Sequence, residues 1–261
     1  MKAFKPIYLF ALAIISLASC KKDSDTPGSG EPQTPVTELV QYSNGDEFVK
    51  FTYSAGNSIS NVIFKNELIT DNEEKIYDVT YAENKIASLT SDDHRIVPVY
   101  ENGLLKRADM FENEERVSYT NYDYEHGKLK DITLYYNNEG DFNPVFSYRF
   151  EYNGAENPSE VIALIAGNQP NLLVRAGSVN LQYDNRVNPL YKHKDLLLLL
   201  WQTVTKNNIT AEDHFDADLN LEDKYIYTYD YFNNGLPKTA EVKKGLPGQP
   251  SETFNIDYLY Q

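Results

Sequence analysis

From position 225 the chain reads YIYTYDY: tyrosine at 225, 227, 229 and 231, with Ile226, Thr228 and Asp230 between them. A period of two belongs to a β-strand, whose successive side chains point to opposite faces, and not to a helix. The alternation recurs in Val49, Phe51 and Tyr53, separated by Lys50 and Thr52, and in Phe146, Tyr148, Phe150 and Tyr152, separated by Ser147, Arg149 and Glu151. It returns at the C-terminus in Phe254, Ile256, Tyr258 and Tyr260. Aromatic on one face and polar on the other predicts antiparallel strands packed on one side and solvated on the other. The 21 tyrosines and 12 phenylalanines also separate this acidic chain from a disordered tail.

A tyrosine closes many of these strands and a turn follows it. Tyr53 precedes SAGNSI, Tyr81 precedes AENKI, Tyr100 precedes ENGLL and Tyr124 precedes EHGKL; Tyr152, Tyr183 and Tyr231 precede NGAENP, DNRVNP and FNNGLP. Successive intervals are 28, 19, 24, 28, 31 and 48 residues. An interval of 24 to 28 holds two strands and two turns, so each repeat reads as one up-and-down hairpin. Asn-Gly and His-Gly pairs supply the positive φ that tight hairpin turns need. The expected fold is mainly β, an antiparallel meander curved into a barrel or half-barrel. Pro98 lies inside a strand and marks a bulge or an edge.

The 48-residue interval contains NPLYKHKDLLLLLWQTVTKNNIT. Five consecutive leucines, Leu196 to Leu200, face every direction around a helix and require burial on all sides. The spacing predicts a helix over about 195–206, capped by Asp195 and ended by Lys206-Asn207-Asn208, packed on or in the curved sheet.

The N-terminus has Lys2 and Lys5, an apolar run from Ile7 to Leu17, then Leu17-Ala18-Ser19-Cys20. That is a signal peptide over 1–19, and its apolar run is shorter than a bilayer-spanning helix. Cys20, the one cysteine of the chain, stands where a lipobox places the lipid-modified residue, and its being alone excludes a disulfide within the chain. Residues 20–35, rich in Gly, Ser, Pro and Thr, read as a lipidated flexible tether, and 36–261 as a single β domain. Acyl chains on Cys20, palmitate among them, would hold the protein to a membrane. Lys21-Lys22-Asp23-Ser24-Asp25 resembles the export tag that sends Gram-negative lipoproteins to the outer surface of the outer membrane. Loss of residues 1–19 takes the formal charge from -15 to -17, which excludes a nucleic-acid partner.

The form Tyr-x-Tyr-x-x-x-Gly-x-[Leu/Pro] appears in Tyr122 to Leu129 and loosely in Tyr229 to Pro237, beside Tyr183-Asp-Asn-Arg-Val-Asn-Pro189 and Lys206-Asn-Asn-Ile-Thr210. With the lipobox, these resemble a family of Gram-negative lipoproteins of unknown function described as porin-like in fold. The repeats are also similar to the tyrosine–aspartate repeats of large bacterial surface shells. The resemblance implies a barrel-like antiparallel sheet and carries no activity, catalytic residue or cofactor with it.

No nucleophile, zinc or phosphate-loop motif is present, so no enzyme and no cofactor is expected. His94 follows Asp92-Asp93 and His214 follows Glu212-Asp213, and either makes a His–carboxylate pair possible; His126 falls in a turn. Asp216, Asp218 and Asn220 have the spacing of a calcium loop, but Leu221 stands where the sharp turn wants Gly and Tyr227 where a bidentate Glu belongs. Tyr124, Tyr152, Tyr229, Tyr231 and Trp201 are the candidate ligand surface, reading either as a platform for a glycan, lipid or protein ligand or as plain core. The function expected from sequence is a surface-exposed binding or scaffold lipoprotein. The alternative is a carrier of lipid or another hydrophobic ligand, with the leucine segment as a lid. A hydrolase would require a carboxylate or histidine cluster in a deep cleft. A membrane-spanning porin is disfavoured, because acids such as Glu151 and Asp230 occupy the face opposite the tyrosines.

Overall fold

The computed structural model describes residues 38–44, 47–65, 73–169, 171–246 and 248–261; the expected signal peptide, Cys20 and the expected tether lie outside them. Sixteen strands form a closed antiparallel barrel in which sequence neighbours pair throughout and the last strand pairs with the first. They are β1 (Leu39–Asn44), β2 (Glu47–Tyr53), β3 (Ile59–Lys65), β4 (Lys75–Ala82), β5 (Lys85–Thr90), β6 (Arg95–Glu101), β7 (Leu104–Glu112) and β8 (Glu115–Glu125). There follow β9 (Lys128–Asn138), β10 (Asp141–Glu151), β11 (Glu160–Ala166), β12 (Leu173–Val187), β13 (Asn207–Asp216), β14 (Leu221–Tyr231), β15 (Pro237–Lys244) and β16 (Glu252–Tyr260). The seam is made by Tyr42 opposite Tyr258 and Asn44 opposite Ile256.

Pairing keeps the aromatic face continuous from strand to strand. Tyr227 stands opposite Val242, Val242 opposite Phe254, and Tyr42 opposite both Tyr258 and Val49. These residues point into the barrel. Lys50, Thr52, Asp78, Thr80, Arg149, Asp230, Glu241, Lys243, Asn255 and Asp257 point out and are exposed. A barrel that spans a bilayer carries an apolar band outside, and a cationic side chain at mid-depth costs about 2–4 kcal/mol. Here the polarity runs the other way, with the apolar face lining the lumen. Pro98 sits where β5 and β6 pair only at Leu89/Ile96 and Thr90/Arg95, and a bulge follows between Val99 and Tyr100, so its missing N–H falls where the ladder is open.

The repeated tyrosine has a mechanical role. Taking β1/β2, β3/β4 and so on as hairpins, the tyrosine near the end of the second strand reaches the backbone where the first strand begins. Tyr53 donates to the Leu39 carbonyl at 2.7 Å, Tyr152 to Leu129 at 2.9 Å and Tyr183 to Pro158 at 2.8 Å. Tyr229 donates to Ile209 at 2.9 Å and Tyr260 to Pro237 at 2.8 Å. Each phenol therefore pins the open end of its hairpin, opposite the turn, and satisfies a backbone group where the ladder ends. Lysines of the first strand cover three of these rings: Lys85 lies 4.8 Å from Tyr100, Lys106 5.3 Å from Tyr124 and Lys128 5.0 Å from Tyr152.

The connection between β12 and β13 enters the barrel from this tyrosine-lined end. A 3₁₀ turn over Pro189–His193, capped by the Asn188 side chain, leads into helix α1 (Lys194–Leu199). The helix is shorter than the expected 195–206, and Asp195 lies in its first turn and is not its cap. It ends because Trp201 adopts φ 60°: the Trp201 N–H bonds the Leu198 carbonyl at 3.1 Å and the Gln202 N–H bonds Leu197 at 2.8 Å. That is a Schellman closure with tryptophan where glycine is usual. It turns the chain back inside the barrel, so Lys206 and Asn207 lead into a strand and do not end a helix. Leu196 to Leu200 are all buried, against Phe51, Val62, Leu89, Leu105, Tyr122 and others of the wall. The Tyr122 hydroxyl donates to the Leu198 carbonyl at 3.1 Å, which satisfies a helix-end acceptor. Each buried leucine contributes about 1.5–3 kcal/mol. The leucine segment is thus a plug that fills one side of the lumen.

Candidate functional site

On its other side the plug leaves a cavity of about 390 Å³ between itself and the wall from β8 to β13. Ligand cavities range from about 300 to 1,000 Å³. Tyr148, Phe150, Val161, Ala163, Val179 and Leu181 line it from the strands, and Leu198, Trp201 and Val204 from the plug and the segment after it. Its rim, at the tyrosine-lined end, carries the exposed His126, Gly127, Glu156 and Lys206. Its floor carries Glu212 and His214.

These two residues sit at i and i+2 on β13, so both face inward, opposite Leu181 and Val179 of β12. Glu212 is 2% exposed and His214 6%. His214 Nε2 lies 2.7 Å from Glu212 Oε2, and the Tyr227 hydroxyl donates to Glu212 Oε1 at 2.9 Å. The His214 ring also packs on Tyr225 at 4.8 Å. Burial, and then the Glu212 carboxylate, push the Tyr227 phenol well above its ordinary range, so it stays a donor at any physiological pH. Farther down the wall Lys244 pairs with Asp223 at 3.4 Å. The result is an apolar cavity with one hydrogen-bonded acid–base pair at its floor. That arrangement can orient a polar group of a ligand or exchange a proton with it.

The other histidines differ. His94 pairs with Asp93 at 2.7 Å and with Tyr77 at 2.8 Å, beside the half-exposed ion pair of Asp93 with Lys75. Neither of the two His–carboxylate pairs shares a site with the other. In the Asp216 loop the carboxylate accepts from its own turn, from Asp218 N at 2.9 Å and from Asn220 N at 2.8 Å. Among the described residues no group of three or more His, Cys, Asp or Glu is placed to hold a metal.

Of the aromatic candidates, Tyr124, Tyr152 and Trp201 line the cavity, and Tyr229 lines a smaller recess beyond Glu212. Tyr231 lies at the tyrosine-lined end, donating to Asp184, with Arg186 stacked 4.2 Å from its ring. Burial, followed by Asp195, pushes the Tyr124 phenol up to about 12; burial, followed by Tyr191, does the same for Tyr152. Sequence reasoning marked Glu212 and His214 as an adjacent pair and missed Tyr227 as its donor. The available signal was alternation: Tyr225 and Tyr227 lie on the aromatic face that the barrel turns inward, and strand pairing puts Glu212 opposite Tyr225.

No family model matches the chain, and no curated protein does. The fold is shared with solved structures, two of which follow. One is a porin-like protein from Bacteroides uniformis ATCC 8492, 12% identical, with a TM-score of 0.57, covering 88% of this chain and 98% of that one. The other is a porin-like protein from Bacteroides vulgatus ATCC 8482, 14% identical, with a TM-score of 0.56, covering 86% of this chain and 99% of that one.

Proposed function

We propose that this protein is a lipid-anchored binding lipoprotein of the outer membrane, displayed at the cell surface, whose barrel stands in water and holds a small hydrophobic ligand inside. Of the two functions considered from sequence, the cavity favours the carrier of a hydrophobic ligand over the surface scaffold. The observation that carries this reading is the inverted polarity: an apolar lumen with a cavity of about 390 Å³, enclosed by strands whose outward residues are polar or charged, with scattered apolar ones such as Ile76, Ile226 and Leu259. Barrels of sixteen strands that conduct solutes leave an aqueous channel. This one fills its lumen with aromatic side chains and a leucine plug, and opens its cavity to one end. Cys20, the tether and the Lys21–Asp25 segment support the anchored, surface-exposed placement.

Native mass spectrometry of protein purified without detergent tests the proposal. A bound mass in the lipid range, lost on solvent extraction, is the expected result. An apoprotein mass that stays unchanged on incubation with lipid extracts of Gram-negative envelopes would overturn it.

A further inference from the structure

The two ends of the barrel differ in charge and in what they hold. The cavity opens at the tyrosine-lined end, and the first and last described strands start and finish there. At that rim the Glu38 N–H meets the Gln261 carbonyl at 3.4 Å, and the Gln261 N–H meets the Glu38 carbonyl at 3.0 Å. Lys192, from the segment leading into the plug, pairs with Glu38 at the same point. Cys20 lies upstream of Glu38, so a lipid on it holds the barrel by the end that opens its cavity.

The connections between strands divide the charge. At the far end, where β1 joins β2, β3 joins β4 and so on, the described connecting residues carry seven carboxylates, Asp92, Asp93 and Glu139 among them, and no lysine or arginine. At the cavity end they carry three, Glu83, Glu156 and Asp195, matched by Lys192, Lys194 and Lys206. More cations arrive on the strands that start here. Lys85, Lys106 and Lys128 lie over Tyr100, Tyr124 and Tyr152, and Lys194 lies 5.4 Å from the Tyr191 ring. The ion pairs of this end are made by other lysines, Lys130, Lys192, Lys206 and Lys238. Glu101, Glu125 and Glu151 end the neighbouring strands in the outward register, and Lys130 spans the last two. The cavity end is thus balanced and edged with lysines, while the far end is acidic.

We infer that the cavity end of the barrel docks on an anionic lipid surface, the bilayer to which Cys20 would fasten it, so that the cavity opens toward the lipid. This rests on the anchored-carrier reading and adds the partner and the direction of entry. With residues 1–19 removed the formal charge is -17, and a phosphate-rich surface repels such a chain as a whole. Both attraction and repulsion fade within a Debye length, about 10 Å at 0.1 M salt, so the face nearest the lipid decides the outcome. With the lysine-edged end down, the attraction is short-range and the acidic connections stand a barrel's height away. An acyl chain can then pass from bilayer to cavity without its methylenes crossing water.

Cys20 is the sole cysteine, so the chain from Cys20 to Gln261, which keeps every described strand, couples through its thiol to a maleimide-headed lipid that stands in for the anchor. Vesicles of phosphatidylcholine alone are compared with vesicles of equal parts phosphatidylcholine and phosphatidylglycerol. Single-hit acetylation of lysines, read by peptide mass spectrometry, reports which end is covered. On the anionic vesicles Lys85, Lys106, Lys128 and Lys194 should react at least about threefold more slowly than on the neutral ones, and molar salt should remove the difference. Lys50, Lys65 and Lys243, on the outer wall and toward the far end, should react at one rate on both. Reversing Lys106, Lys128 and Lys194 together to Glu should abolish the protection of Lys85, whereas the charge-matched reversal of Lys50, Lys65 and Lys243 should leave it in place. The labelling of the unaltered chain stands by itself if a triple variant does not fold. Equal labelling on the two vesicles, protection of Lys65 and Lys243 in place of the cavity-end lysines, or equal effects of the two reversals would overturn the docking surface and leave the carrier reading standing. Protected cavity-end lysines on a protein that never carries lipid in native mass spectrometry would overturn the carrier reading and leave the docking surface.

Discussion

Acidifying the protein from pH 7 to pH 4 should remove stability held by one residue, His193, at the joint between the 3₁₀ turn and helix α1. Its ring packs 5.1 Å from Phe51, and its Nε2 lies 3.1 Å from the Tyr53 hydroxyl. That hydroxyl spends its proton on the Leu39 carbonyl at 2.7 Å, so His193 is the donor and carries its proton on Nε2. Burial, followed by the neighbouring Lys192 and partly opposed by Glu38, pushes the imidazole down from 6.5 to about 4. A base whose folded pKa lies below its unfolded one binds fewer protons folded than unfolded between the two values. Its contribution is complete above pH 6.5 and disappears as pH falls through about 4. At about 1.4 kcal/mol per pH unit the drop is worth at most about 3 kcal/mol, and the partial exposure of the ring lowers that to about 2 kcal/mol. Urea unfolding midpoints measured every half pH unit, for the protein and for His193→Gln, isolate the effect, because other titrating groups cancel in the difference. The difference between the two stabilities should shrink by about 2 kcal/mol from pH 7 to pH 4. A difference that stays constant over that span would refute the claim that burial holds this histidine neutral.

Other perturbations address the plug, the tyrosines and the anchor. Leu197→Ala, at a side chain 1% exposed, should cost about 2–5 kcal/mol and lower Tm by several degrees in a thermal melt; a loss under 1 kcal/mol would mean the plug is not part of the core. Replacing Tyr152, Tyr183 and Tyr260 together by Phe removes three hydrogen bonds and leaves the rings in place. It should cost about 3 kcal/mol with an unchanged far-ultraviolet circular dichroism spectrum, since such bonds contribute about 1 kcal/mol each. A cost near zero would leave the repeat without the mechanical role given to it. Cys20→Ala should move the protein from the membrane fraction to the soluble fraction without detergent; retention in the membrane would show that the barrel itself inserts.

Much of this architecture could be read along the chain. The period-two aromatics specify strands, and the tyrosines before each turn specify hairpins of one kind, because strand periodicity and turn chemistry are local properties. The five leucines required burial on every side, and they received it. Helix length was not legible in the same way: Trp201 at a positive φ ends α1 early, a backbone state that tertiary packing imposes and side-chain preference opposes.

The sequence by itself determined that there would be an antiparallel sheet with one aromatic and one charged face, closed by repeating corners and interrupted by one segment that had to be buried. It could not determine which way the sheet would curl, since alternation is the same for a barrel lined with aromatics and for one clad in them. Nor could it place Asn44 of β1 in one recess with Glu212 of β13 and Tyr227 of β14, because Asn44 joins that pair of strands only when β16 closes on β1. Burial of the aromatic face around the leucine plug decided which face became the lumen, and closure of the seam decided which groups share it.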